Sequence, residues 1–235
     1  GGYSQYAKVN ADFLVKKPKE ITTRQSMILG TAGLTALQCA FVAKLTREEL
    51  LLGEKVQDVI VTGASGGVGS IAVMILNKLG CNVTAVTSKD SNHDYLRSIG
   101  AKNFINTSEL TKDPRPLDKG LWDGAVDTVG GQVLANVLAQ TKETGIVASC
   151  GNAADIKLNT TVMPFIIRGV KLWGINSVNI STVRRKFLWN EASKLIDFDI
   201  LNKSIKEISL EEVLDIYPKM LKGETSGRYI IDVNK

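Results

Sequence analysis

Ten consecutive residues, Val61-Thr62-Gly63-Ala64-Ser65-Gly66-Gly67-Val68-Gly69-Ser70, contain four glycines and three other small residues, with apolar runs on both sides. Glycines where a strand turns into a helix let the backbone bend sharply and come close to an anion. The anion then meets the N–H groups and the positive dipole end of the helix. The ligand that suits such a turn is a pyrophosphate. A phosphate loop of the ATPase kind needs G-x-x-x-x-G-K-[ST]. Neither Gly63 nor Gly66 opens that pattern, and no lysine stands at the helix start.

Two dinucleotide-binding patterns compete for the same residues. Thr62, Gly63, Gly67 and Gly69 fit the T-G-x-x-x-G-x-G of short-chain dehydrogenases. That pattern works with a downstream Tyr-x-x-x-Lys, in which the lysine lowers the phenol pKa for proton exchange. Here the residues four after Tyr95, Tyr217 and Tyr229 are Ile99, Leu221 and Val233, so the chemistry is missing. The other reading takes Ala64, Gly66 and Gly69 as G-x-G-x-x-G with alanine in first place. It makes Ala64, Ser65, Gly66, Gly67, Val68 and Gly69 the cofactor loop.

The nucleotide is read from the next strand. NAD-specific folds carry an acidic residue about 20 positions after the loop, for the ribose hydroxyls. Residues 83–86 run instead into Thr87-Ser88-Lys89. Two hydroxyls and an ammonium suit a 2'-phosphate, so NADPH is the expected cofactor. The competing reading of Lys89 is a surface lysine, and His93 either faces the phosphate or is a solvated helix residue.

Metal chemistry has little to work with. The sequence has one histidine, His93, and three distant cysteines, Cys39, Cys81 and Cys150, with no C-x-x-C pair. A zinc site needs clustered ligands, so no metal is expected. An odd number of scattered cysteines fits reduced thiols and a cytoplasmic setting. Cys150 as a nucleophile needs a nearby base or positive charge, and none is indicated; a small buried thiol is the alternative.

Around the loop the pattern is strand, short turn, amphipathic helix. Strands are expected at residues 58–62, 82–87, 103–106, 124–128, 145–149 and 170–174. Helices are expected at 68–79, 91–99, 131–140 and, interrupted by prolines, around 111–121. Such alternation requires crossovers, and crossovers build a parallel sheet covered on both faces. The fold class is therefore α/β, doubly wound. Outside it, residues 3–15 read as extended chain, 24–45 as a helix, 182–194 and 210–221 as helices, and 229–233 as a closing strand. These outer pieces belong to no βαβ unit and look like parts of a second, incomplete domain.

Hydrophobic residues make up 44% and charged residues 23% of the 235, which is ordinary globular usage. No apolar run reaches the roughly 18 residues of a spanning helix, and no membrane partner is expected. The net charge of +5 is spread along the chain, with Arg184-Arg185-Lys186 the densest cluster. Nucleic acid is not the expected partner, although a non-catalytic module binding NADPH or RNA stays an alternative.

Several further runs point one way. Residues 64–69, A-S-G-G-V-G, resemble the loop of zinc-free medium-chain dehydrogenase/reductases, particularly the quinone oxidoreductases. GTAGLTA at 30–36 resembles the helix before their nucleotide domain, and DTVGG and GIVASCG resemble their fourth and fifth strand ends. HDYLRSIGA at 93–101, RPLDK at 115–119, WDGAVDTVG at 122–130, VLAQ at 137–140 and TTVMPFI at 160–166 are together similar to the acrylyl-CoA reductase branch. That resemblance runs from Gly1 to the closing GRYIIDV.

The resemblance implies a Rossmann domain at 24–178, preceded at 1–23 and followed at 179–235 by pieces of a GroES-like barrel domain. It implies hydride transfer from NADPH to an activated carbon–carbon double bond of an enoyl-CoA, or to a quinone, in a cytoplasmic homodimer paired through strand 170–174. It places Cys150, Gly151 and Asn152 along the nicotinamide and Ser177 near its carboxamide, with Thr31 and Thr35 bordering the pocket. Relatives carry arginine or tyrosine after the third strand, near the adenosine, where this sequence has Thr107. No catalytic residue is assigned. Since relatives draw much of their substrate pocket from an N-terminal barrel, the chain is read as an inactive fragment of a longer reductase.

Overall fold

A computed structural model describes residues 2–44, 57–222, 224–225 and 227–235. The chain divides into two compact units, Thr31–Asn179 and the pair of segments Gly1–Gly30 with Ile180–Lys235.

The larger unit holds the expected doubly wound sheet. Its strands are β1 (Asp58–Val61), β2 (Asn82–Thr87), β3 (Asn103–Asn106), β4 (Trp122–Asp127), β5 (Thr141–Ser149) and β6 (Lys171–Gly174). They lie in the order β3-β2-β1-β4-β5-β6, and every pairing is parallel. The winding reverses between β1 and β4, and that switch point opens a crevice beyond the carboxyl ends of the strands. The inner strands β1, β2 and β4 are almost wholly buried, as a parallel sheet covered on both faces requires, whereas β3 and β6 at its edges are exposed or half-buried. Ile60, Val86, Val147 and Trp122 of the sheet pack with Val133, Leu134 and Val137 in one cluster. Those last three lie on α4 (Gly131–Ala139).

The helix α1 (Thr23–Lys44) corrects one expectation. Over 22 residues it is apolar enough to cross a membrane by length and composition, yet 61% of its apolar window is buried within the protein. Burial of that kind marks a core helix. Gly30 breaks it with φ 48° and ψ −150°. Leu45, the expected last residue of this helix, lies outside the described residues.

A second correction concerns residues 111–121, where no helix forms. The chain instead makes a 3-10 turn at Thr107–Leu110, closed by a capping box in which the Asn106 side chain accepts from Ser108 N and Glu109 accepts from Asn106 N. Pro114 and Pro116 then bias the residues before them away from helical backbone. The remaining helices of this unit are α2 (Gly67–Lys78), α3 (His93–Ser98) and α5 (Met163–Arg168). The last was not expected; Pro164 in its first turn starts it.

The smaller unit carries α6 (Thr182–Leu195), α7 (Phe198–Asn202), α8 (Val213–Leu221) and a parallel pair, β7 (Ile205–Ser209) with β8 (Arg228–Asp232). Arg24 donates to Glu207 and Asn202, and Arg228 donates to the carbonyls of Ile28 and Leu29. These bonds tie its two segments together.

Candidate cofactor site

The glycine loop leaves β1 at Thr62 and enters α2 at Gly67. Gly63 has φ +57°, a left-handed conformation that only glycine adopts without strain. A Cβ there would lie 2.3 Å from Thr128 Oγ1, so the loop rests directly on the end of β4. Ala64 is fully buried, and its N–H donates to Val86 O at 3.0 Å. Gly66 is the helix N-cap and has no side-chain cap bond. Its N–H donates to Gly63 O at 2.9 Å. At Gly69 a Cβ would stand 2.3 Å from Gly63 O and 2.8 Å from Ala64 Cα. The tight packing of the first helical turn over the loop thus requires glycine. It forms a backbone cradle that a side chain would fill, and the first-turn N–H groups of a helix favour an anion there.

The other expected residues fall on the same edge of the sheet. Thr87 ends β2; it is buried, and its Oγ1 accepts from Lys89 N at 3.3 Å. Ser88 and Lys89 are exposed beyond it. Thr107 follows β3 in the 3-10 turn. His93 stacks on Phe104, with 4.2 Å between ring centroids, and Arg97 lies over the same ring. Cys150, Gly151 and Asn152 follow β5, and Ser177 stands three residues after β6, where Ile175 N donates to Ser149 O. Thr35 is buried, and its hydroxyl donates to Thr31 O within the helix. The structure therefore brings the loop, Thr87 to Lys89, Thr107 and Cys150 to Asn152 to one edge, strand by strand.

One residue at the centre of this edge was not singled out from sequence. Asp127, the last residue of β4, is wholly buried. Its carboxylate accepts from Thr62 Oγ1 at 2.7 Å, Gly130 N at 3.0 Å, Ser149 Oγ at 3.3 Å and, more weakly, Val129 N at 3.4 Å. Burial raises its pKa above the ordinary carboxylate value; the Thr62 hydroxyl, the two N–H groups and the Ser149 hydroxyl oppose that rise. The available signal was the carboxylate at the carboxyl end of the strand, W-D-G-A-V-D.

Cys150 is half-buried, and its Sγ lies 3.5 Å from Asp127 O. It faces the buried Cys39 thiol, whose pKa is raised by the hydrogen bond it shares with Cys150 and by burial. No cationic side chain contributes to the titration of either thiol. Among the described residues, no group of three or more His, Cys, Asp or Glu side chains is placed to share a metal ion.

Known proteins share this architecture. Residues 67–197 match the family model for zinc-binding dehydrogenases. Over 235 residues the chain is 42% identical to the acrylyl-CoA reductase AcuI of Ruegeria pomeroyi, covering all of this chain and 70% of that protein. It is 39% identical to the Bacillus subtilis protein YhfP, which its name assigns provisionally to the quinone oxidoreductases, over 98% of this chain and 69% of YhfP. YhfP has been solved with NAD bound. YhdH of Escherichia coli K-12, solved with NADPH bound, superposes with a TM-score of 0.92 at 40% identity, covering all of this chain and 71% of YhdH.

Proposed function

The chain belongs to the family of zinc-binding dehydrogenases, and from that premise we propose that its glycine-loop edge binds NADPH in a reductase of activated carbon–carbon double bonds. The substrate we infer is an acrylyl-CoA-type enoyl thioester. The observation that carries the reading is the packing of Gly69 on Gly63 at the head of α2, beside the switch point of a fully parallel sheet. A backbone stripped of side chains at that place suits a pyrophosphate.

The residues then divide the work. The backbone of Ala64 to Gly69 receives the pyrophosphate on the first turn of α2. Ser88 and Lys89, exposed at the end of β2, take the 2'-phosphate. Cys150 to Asn152 line the nicotinamide face and Ser177 its carboxamide end. NADPH, when bound, supplies the hydride that adds to the electron-poor β-carbon of the alkene. The residue that protonates the α-carbon is not assigned. Although the family's description includes zinc, the sequence has one histidine and three scattered cysteines without a C-x-x-C pair, and this supports a zinc-free enzyme.

Titration of the full-length protein with NADPH and NADH in parallel tests the cofactor. Tighter NADPH binding is expected, and equal or weaker NADPH binding refutes the assignment of Ser88 and Lys89. Turnover of acrylyl-CoA against a quinone separates the two substrate classes, and the likeness to YhfP supports the quinone as second reading.

Three further readings accompany this one. The relatives extend beyond the matched region, so the substrate pocket is read as completed by chain outside this sequence. Comparison of intact mass with the open reading frame tests it. A cytoplasmic home is supported by three free cysteines. A homodimer is supported by β6, which among the described residues pairs with β5 alone and exposes Leu172 and Trp173. An open apolar edge invites pairing with a second copy, and Trp173→Glu should convert the dimer to a monomer in size-exclusion chromatography.

A further inference from the structure

The buried carboxylate of Asp127 gathers the three strand ends that border the crevice. From β1 comes the Thr62 hydroxyl, from β5 the Ser149 hydroxyl, and from the turn after β4 the N–H groups of Gly130 and Val129. A second tier follows. Thr62 Oγ1, donating to Asp127, also accepts from Thr128 N at 3.0 Å. Thr128 Oγ1 in turn donates to Thr62 O at 2.9 Å, in the place that any side chain on Gly63 would occupy. Gly63 O then accepts from Gly66 N and supports Gly69. A continuous set of contacts therefore runs from the carboxylate to the head of α2.

All four groups around the carboxylate donate to it. Two are peptide N–H groups, which cannot reverse direction, so the ionised, acceptor-only form matches the site. A protonated carboxyl would turn one of its oxygens into a donor and break the match. None of the four donors carries a charge. The other titratable groups facing Asp127 are the thiols of Cys39 on α1 and Cys150 after β5.

Resting on the NADPH reading above, we propose that Asp127 is a positioning residue whose ionised carboxylate holds the glycine loop and the β4 turn in cofactor-binding geometry. Its protonation releases Gly130 and Thr62, and with them the rest of Gly63. Because burial raises the Asp127 pKa, this release falls above the ordinary carboxylate range. Binding and folding then respond to acid with opposite signs. Cofactor affinity falls as pH drops through the raised value. The same protonation relieves a buried charge, so this group's contribution to folding stability rises over the same interval, down to its unfolded pKa.

The test is NADPH fluorescence titration of full-length protein from pH 8 down to the lowest pH at which it stays folded, comparing wild type with Asp127→Asn and Ser149→Ala. The cofactor's 2'-phosphate titrates near pH ~6, but it does so for every variant and cancels in the ratio of affinities. Wild type should bind about tenfold or more tighter than Asp127→Asn at pH 8, with the ratio falling towards one on acidification. Ser149→Ala removes one donor and should move the inflection to higher pH. A simple packing role would leave the ratio flat and the inflection unmoved. Either of those results, or an Asp127→Asn variant that binds like wild type at pH 8, overturns the assignment. If Asp127→Asn does not fold, the Ser149→Ala inflection alone decides. Failure of wild type to bind NADPH at any pH overturns the cofactor reading, and this assignment with it; normal wild-type binding with a flat ratio overturns only this one.

Discussion

Replacing Gly69 by alanine tests the cradle most directly. The backbone there is helical, so alanine brings no strain of its own and gains up to about 1 kcal/mol of helix propensity. The cost lies in space. The new methyl would sit 2.3 Å from Gly63 O and 2.8 Å from Ala64 Cα. Both are backbone atoms, so the loop and the first turn must separate by about 1 Å to restore van der Waals contact. Overpacking of this kind costs about 1–3 kcal/mol, which after the full helix-propensity gain leaves a net loss of about 0–2 kcal/mol. For a chain of this size each kcal/mol lowers Tm by about 2–4 °C. The loss in cofactor affinity should be larger, because the displaced atoms are those proposed to meet the pyrophosphate. Weakening one charge-assisted contact worth about 1.5–3 kcal/mol reduces NADPH affinity about 10- to 100-fold. Gly66→Ala is the internal control for stability alone, since its added methyl would meet only Gly63 O, at 3.2 Å, within the protein. Thermal unfolding of both variants and NADPH titration of Gly69→Ala give the comparison. A Gly69→Ala protein that binds within about twofold of wild type, or one more stable than Gly66→Ala, would refute the reasoning.

Other substitutions probe the edge and its support. Lys89→Ala should weaken NADPH binding by about tenfold, the loss of one charge-assisted contact to the 2'-phosphate, and leave NADH binding unchanged; parallel titrations check it. Asn136→Ala removes Nδ2 contacts to Leu110 O, Lys112 O and Gln132 O at 2.9, 2.8 and 3.0 Å. It should lower stability by about 1–3 kcal/mol in denaturant unfolding, because it strands buried carbonyls. Lys142 bridges Asp58 at 3.0 Å and Asp123 at 2.9 Å on the opposite edge of the sheet. Burial lowers its pKa, but the two carboxylates raise it more, so the net shift is upward. A raised lysine stabilises the fold below its unfolded value of about 10.4, and that stability is lost as pH rises through the folded value. Lys142→Met should therefore cost about 0.5–1 kcal/mol near neutral pH, and the deficit should close in strongly alkaline buffer.

The strands were legible because they are short runs bounded by turn residues, β-branched in β1 and β2, a local signal that a parallel sheet then uses without change. Residues 111–121 misled because their spacing suits a helix, while Pro114 and Pro116 deny it the donors and backbone angles it needs. The apolar length of Thr23–Lys44 was underestimated since its glycines, threonines, Gln25 and Gln38 interrupt the run to the eye. Folded, that segment is a core helix. Asp127 stayed hidden for a different reason. In sequence it is one acidic residue before a turn, and its meaning arises only where Thr62, Ser149 and Gly130 converge on it, from positions up to 65 residues away. Its one local signal, a carboxylate at a strand end, carries none of that convergence.

The same distinction separates the cofactor's pyrophosphate from its outer phosphate. The loop is fixed by packing: Gly63 and Gly69 have no room for side chains, so its form is dictated by the fold and readable from spacing. Ser88 and Lys89 are exposed beyond the end of β2, where packing dictates nothing. Two neighbours of comparable identity, 40% and 38%, have been solved with NADPH and with NAD respectively. Shared architecture alone therefore does not choose between the cofactors, and we propose that the choice rests on these unpacked side chains, whose charge suits a 2'-phosphate. If so, Lys89→Asp should reverse the preference without moving Tm, because it exchanges attraction for repulsion at an exposed site. A variant that loses NADPH and NADH binding equally would mean that discrimination resides deeper in the crevice, and that Lys89 acts on the loop rather than on the phosphate.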